Sequence, residues 1–246
     1  MRTGNPTLNE RTFSRQSVTG AEDAMTIQGA VNKTLLLLGL AIATASYTWT
    51  QFIQGDQAFA MMLGFGGAAV GLVLGLVCSF KPTTARITAP LYAAAEGLFL
   101  GGISAMMEAR FEGIVIQAVA LTFGVMLALL IVYKTGLIKV TENFRMGVAA
   151  ATGAIALFYL VTFALRAFNL YEIPYVHESG LIGIGFSVFV VGLAALNLVL
   201  DFDFIENGAA QGAPKFMEWY AAFGLMVTLV WLYIEILRLL SKLRSR

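Results

Sequence analysis

Residues Leu181 to Leu200 read LIGIGFSVFVVGLAALNLVL without a charge, and the chain continues Asp201-Phe202-Asp203-Phe204-Ile205-Glu206. A helix of about 20 apolar residues is roughly 30 Å long and crosses the hydrocarbon core of a bilayer. Two aspartates then follow at once. A charged side chain in hydrocarbon costs from roughly 2.5 kcal/mol at the centre and less near the interface, so such residues are read first as functional.

The rest of the chain agrees with a membrane protein. Of 246 residues, 58% are hydrophobic and 13% charged, with a mean hydropathy of +0.77. A soluble domain is nearer 45–50% apolar and about 25% charged. The net charge of +1 offers no backbone of phosphates a partner surface, so nucleic acid is excluded. The basic residues Arg238, Lys242, Arg244 and Arg246 read as a membrane-edge anchor.

Seven stretches are long and apolar enough to span, approximately 33–53, 58–80, 87–106, 113–133, 146–168, 180–203 and 217–241. The expected fold is an all-α integral membrane protein, a seven-transmembrane helical bundle over residues 31–246. Residues 1–30 are polar, mixed in charge and without the apolar run of a signal peptide, and are read as a flexible N-terminal tail. Ten lysines and arginines fall on the side of the N-terminus, against Arg110 and Arg166 before the C-terminus on the other. The N-terminus is therefore expected in the cytoplasm.

Gly67, Gly71 and Gly75 recur every fourth residue in the second segment, as do Gly97 and Gly101 in the third. Small residues at this spacing let helix backbones approach closely, within one bundle or across a dimer seam.

The carboxylates carry the chemistry. Asn197 and Asp201 are four apart and share a helix face, whereas Asp203 points elsewhere. Glu96 sits amid Leu91-Tyr-Ala-Ala-Ala-Glu96-Gly-Leu-Phe-Leu-Gly-Gly102, too deep to snorkel on its short stem. Glu235 lies three residues before Arg238 and can pair with it. One cysteine, Cys78, and one histidine, His177, exclude an internal disulfide and a multi-histidine metal site. A phosphate loop, a metalloprotease motif and a Gly-x-Ser-x-Gly elbow are missing, so neither an enzyme nor a cofactor is expected.

These residues resemble the Bax inhibitor family, also called the transmembrane Bax inhibitor motif family. The resemblance rests on the sixth segment ending Leu198-Val199-Leu200-Asp201-Phe202-Asp203 and on Ile234-Glu235-Ile236-Leu237-Arg238 in the seventh. Asn5-Pro6-Thr7-Leu8 near the start and Pro214-Lys215-Phe216-Met217-Glu218-Trp219-Tyr220 are similar to its bacterial branch. The resemblance implies a pH-sensitive calcium leak gated by two aspartates, one on each of the last two helices. Asp201 takes the first place, and Thr228 stands in the second. The implied site is an ion path or pH sensor of Asp201, Glu96, Asn197, Asp203 and Glu235, with Asp201 and Glu96 as the candidate calcium ligands because calcium prefers oxygen, in a bacterial inner (plasma) membrane. The alternative is a non-conducting regulator that binds a membrane protease or another quality-control partner. Beyond the lipid bilayer, partners and oligomeric state stay open.

Overall fold

A computed structural model describes residues 24–168 and 180–245. It contains seven long helices: α1 (Ile27–Ile53), α2 (Gln57–Phe80), α3 (Ala85–Arg110), α4 (Ile114–Lys134), α5 (Glu142–Ala167), α6 (Leu181–Ala210) and α7 (Met217–Arg244). All but α3, the exception, combine the length and apolar character needed to cross a membrane. The protein is an all-α integral membrane protein whose helices contact the lipid bilayer.

Two of the expected helix limits are corrected. α1 begins at Ile27, inside the stretch read as tail, because Thr26 caps it by accepting a hydrogen bond from the Gly29 amide at 2.9 Å. Residues 1–23 of the expected tail lie outside the described residues, as does His177. α6 does not end at its aspartates but runs on to Ala210. Phe202, Phe204 and Ile205 are buried and continue its apolar packing past Asp201. The chain then turns at Gly212, whose φ of 64° is open to glycine at little steric cost.

The contacts divide the chain into two compact units, and α6 and α7 each contribute to both. In the first, described residues 24–112 join 201–227. Its core holds Tyr92 edge-on to Phe223, with ring centres 5.0 Å apart, and Tyr220 beside Phe204 and Phe223. α3 packs against both α1 and α2. The glycines explain how closely. A Cβ on Gly97 would run into the Ala41 backbone and Thr44, and one on Gly101 into the Ala45 backbone, both on α1. On α2, a Cβ on Gly67 would strike the Ala95 carbonyl, whereas one on Gly75 would rest 3.5 Å from the Tyr92 ring. Both glycine rows therefore pack against helices inside this unit.

In the second unit, described residues 113–168 and 180–200 join 228–245. Val148, Ile155, Val190, Leu193 and Leu200 form its core, flanked by Phe144, Tyr159, Phe186 and Trp231.

Candidate functional site

The carboxylates of the spanning helices meet different fates. Asp201 is the most enclosed of those on α6, at 1% exposure. It stands nine residues before the helix end at Ala210, so it belongs to the helix body and not to its frayed end. Asp203 is half-buried, and its backbone carbonyl accepts from the Asn207 amide group at 2.8 Å. Glu206 is exposed. Asn197, four residues before Asp201, is buried, and its side-chain amide donates to Thr152 Oγ1 on α5 at 2.8 Å and to the Leu193 carbonyl at 2.9 Å. Asn197 thus ties α6 to α5 within the second unit, an orientation that its spacing from Asp201 did not reveal.

Glu96 is the twelfth residue of the 26-residue α3 and is half-buried. Its Oε2 lies over Gly71, where an added Cβ would sit 2.9 Å away. Among the described residues it has no hydrogen-bond donor and no cation within ion-pair reach.

Glu235 is 2% exposed and closed on every side. Arg238 Nη1 donates to its two oxygens at 2.9 and 3.0 Å, and the Tyr159 hydroxyl on α5 donates to Oε1 at 3.1 Å. Arg238 also donates to the Tyr159 oxygen at 2.7 Å and lies 5.2 Å from its ring centre. A buried ion pair holds only when its remaining lone pairs are satisfied, and here the tyrosine supplies that contact.

Glu218, in the first turn of α7, is wholly buried and bonded from several sides. Its oxygens accept from the Thr26 amide and hydroxyl, each at 2.9 Å, from Lys33 on α1, and from Lys215 at 3.3 Å. Lys33 also faces the Trp219 ring at 5.5 Å. The clasp is completed by the Met25 amide donating to the Ala213 carbonyl at 2.6 Å. Sequence reasoning did not find this cluster. The local signals were the acidic first turn of α7, which suits the positive end of a helix dipole, and the three-residue spacing from Lys215.

The basic end of α7 is corrected too. Lys242 is not a headgroup anchor. It is 5% exposed and donates to the Gly183 carbonyl at 3.0 Å and the Ser187 hydroxyl at 2.9 Å on α6. Arg244 donates to Gln117 on α4 at 2.9 Å. Long cationic side chains satisfy buried acceptors as readily as they reach water, and sequence alone does not separate the two.

Among the described residues no group of three or more acidic, histidine or cysteine side chains converges as a metal site would require. A family model described as Bax inhibitor 1 like matches residues 5–245. Neither a curated protein nor a solved structure matches the chain. The match spans nearly the whole sequence, and the chain belongs to the Bax inhibitor 1 like family.

Proposed function

We propose that this Bax inhibitor family member is a pH-sensitive cation leak channel or transporter, with calcium as its cargo. It would work in a bacterial inner membrane with its N-terminus in the cytoplasm, without catalysis and without a resident cofactor. The observation that carries the reading is Asp201, a carboxylate enclosed in the body of α6. The charge on such a group is coupled to the packing around it, which is what a pH-gated path needs. Glu96 is a second polar step in an otherwise apolar region, and Asp203, Asn197 and Glu235 are further oxygens on the same helices or their neighbours.

The experiment is calcium flux into liposomes that carry the full chain, at about pH 6 and about pH 8, on either side of neutrality. Flux that changes with pH in wild type and loses that change in Asp201→Asn is expected. An equal pH response in Asp201→Asn would reject Asp201 as the sensor, and no flux above empty vesicles would reject conduction.

One observation favours the second reading, a non-conducting regulator of a membrane protease or similar partner. Glu218 and Glu235 are both closed by cations of this chain, which suits a rigid scaffold more than an open path. Under that reading, liposomes show no flux at either pH, and the protein co-purifies with its partner from membranes.

A further inference from the structure

We propose that Glu96 is a proton-binding carboxyl group of α3, held neutral in a notch over Gly71, and the site at which a hydrophobic carbodiimide modifies this protein. The inference stands apart from conduction, because its test reads covalent labelling and not flux.

The argument starts from what surrounds the group. Glu96 is near the middle of α3, half-buried against α2. The missing side chain of Gly71 makes the notch that receives Oε2. Beside the carboxyl group the notch is bounded by the Ala95 methyl, and Tyr92, one turn earlier on α3, packs its ring against Gly75. The two buried carboxylates of α7 are held differently. Glu218 takes two lysines and Thr26, and Glu235 takes Arg238 and Tyr159. Glu96 has neither a cation nor a donor among the described residues.

A carboxyl group taken partly out of water without a cation or donor is costly to charge and is satisfied by a proton instead. The helix packed on it offers no base, since α2 carries no charged residue between Gln57 and Phe80. Its one titratable side chain, Cys78, lies two turns beyond Gly71 and faces Thr88. On α3 itself the titratable neighbour is Tyr92. On α1, which packs on the other side of α3, Lys33 is engaged by Glu218. A calcium ion requires roughly six to eight oxygens, and this notch supplies a single carboxylate. A proton satisfies the group alone.

A protonated carboxyl group in apolar surroundings is the substrate of dicyclohexylcarbodiimide. The carboxyl proton passes to one reagent nitrogen, and a carboxylate oxygen bonds to the central carbon as one C=N bond becomes single. The resulting O-acylisourea transfers its acyl group from oxygen to nitrogen and ends as a stable N-acylurea. Nothing leaves, so the peptide gains the whole mass of the reagent.

The test treats the full chain in detergent micelles with dicyclohexylcarbodiimide and maps adducts by peptide mass spectrometry. Modification concentrated at Glu96, unaffected by millimolar calcium, is the expected result. Gly71→Ala, which places a methyl group 2.9 Å from Oε2 and pushes the carboxyl out of the notch, lowers the Glu96 adduct several-fold, while Gly66→Ala, with open space around it, does not. Labelling at exposed Glu206 equal to that at Glu96 overturns the proposal, because the reagent then reports exposure. Protection by calcium overturns it as well, because the group would then be a metal ligand. So does the absence of an adduct at Glu96.

Discussion

The Glu218 carboxylate fills the space that a side chain at Gly29 would need. α1 and α7 can meet at this point because one contributes a glycine and the other an acid whose every oxygen is engaged. Gly29→Ala should therefore destabilise the protein by about 1–3 kcal/mol, the usual range for an over-packed site. In a Glu218→Ala background the added methyl finds room, so the two changes should be less than additive. Thermal unfolding of the four variants in detergent checks both statements, and strict additivity would separate the two residues.

Breaking the Glu235 pair should be asymmetric. Arg238 is more than a third exposed along its side chain and can turn to water, whereas Glu235 is 2% exposed. Arg238→Ala strands a buried carboxylate and should cost about 3 kcal/mol or more, with Glu235→Gln costing clearly less. Tyr159→Phe should fall between wild type and Arg238→Ala, since it removes one donor from the same acid. The order of unfolding midpoints in one detergent decides it.

The hydrogen bond from Asn197 to Thr152 joins α6 to α5 inside the second unit. Asn197→Ala and Thr152→Val should each destabilise modestly, with a coupling of roughly 0.5–1.5 kcal/mol, the range seen for polar contacts between membrane helices. A coupling indistinguishable from zero would mean that the amide is held by the Leu193 carbonyl alone.

Glycines of the same type should differ by what they face. Gly97→Ala places a methyl group against the backbone of Ala41 and should lower the unfolding midpoint sharply. Gly39→Ala meets open space within helix α1 and should leave stability unchanged or raise it by up to about 1 kcal/mol through helix propensity. Equal effects at the two positions would argue that close packing of α3 on α1 is unimportant.

If the proposed leak-channel function holds, introducing an acid at Thr228 should steepen its pH response. Thr228 is buried on α7, where the resemblance places the family's second aspartate. With Asp201 as the implied partner and no acid at this place, wild-type flux should vary less steeply with pH than that of Thr228→Asp. Liposome flux recorded from about pH 5 to about pH 8, across the range of shifted carboxyl groups, compares the slopes, and equal slopes would reject the argument.

How much of this was legible in sequence depends on the range of the interaction. The helices were readable because hydropathy is a local, additive property. The rows Gly67-Gly71-Gly75 and Gly97-Gly101 announced close packing, yet not the partners, which are Ala95, Glu96 and Tyr92 for one row and Ala41 and Ala45 for the other. The true end of α6 was hidden because Asp201 and Asp203 imitate a helix reaching water, while the buried Phe202, Phe204 and Ile205 decide otherwise. Lys242 was misread for a related reason: a lysine near a helix end can reach out to headgroups or in to a carbonyl, and the Gly183 carbonyl is remote in sequence. The partners of Glu218 were hidden because Thr26 and Lys33 lie 192 and 185 residues away from it.

That separation sets the order in which the molecule can be finished. α1 is made and inserted early, but the acid that holds its cap belongs to the last helix. At roughly 5–20 residues per second, a ribosome needs on the order of 10–40 s to travel from Thr26 to Glu218. During that interval the Thr26 amide and the Lys33 ammonium must be served by water or lipid headgroups. A chain stopped short of Met217 would leave them so permanently. The clasp can therefore close only after the first turn of α7 has been made.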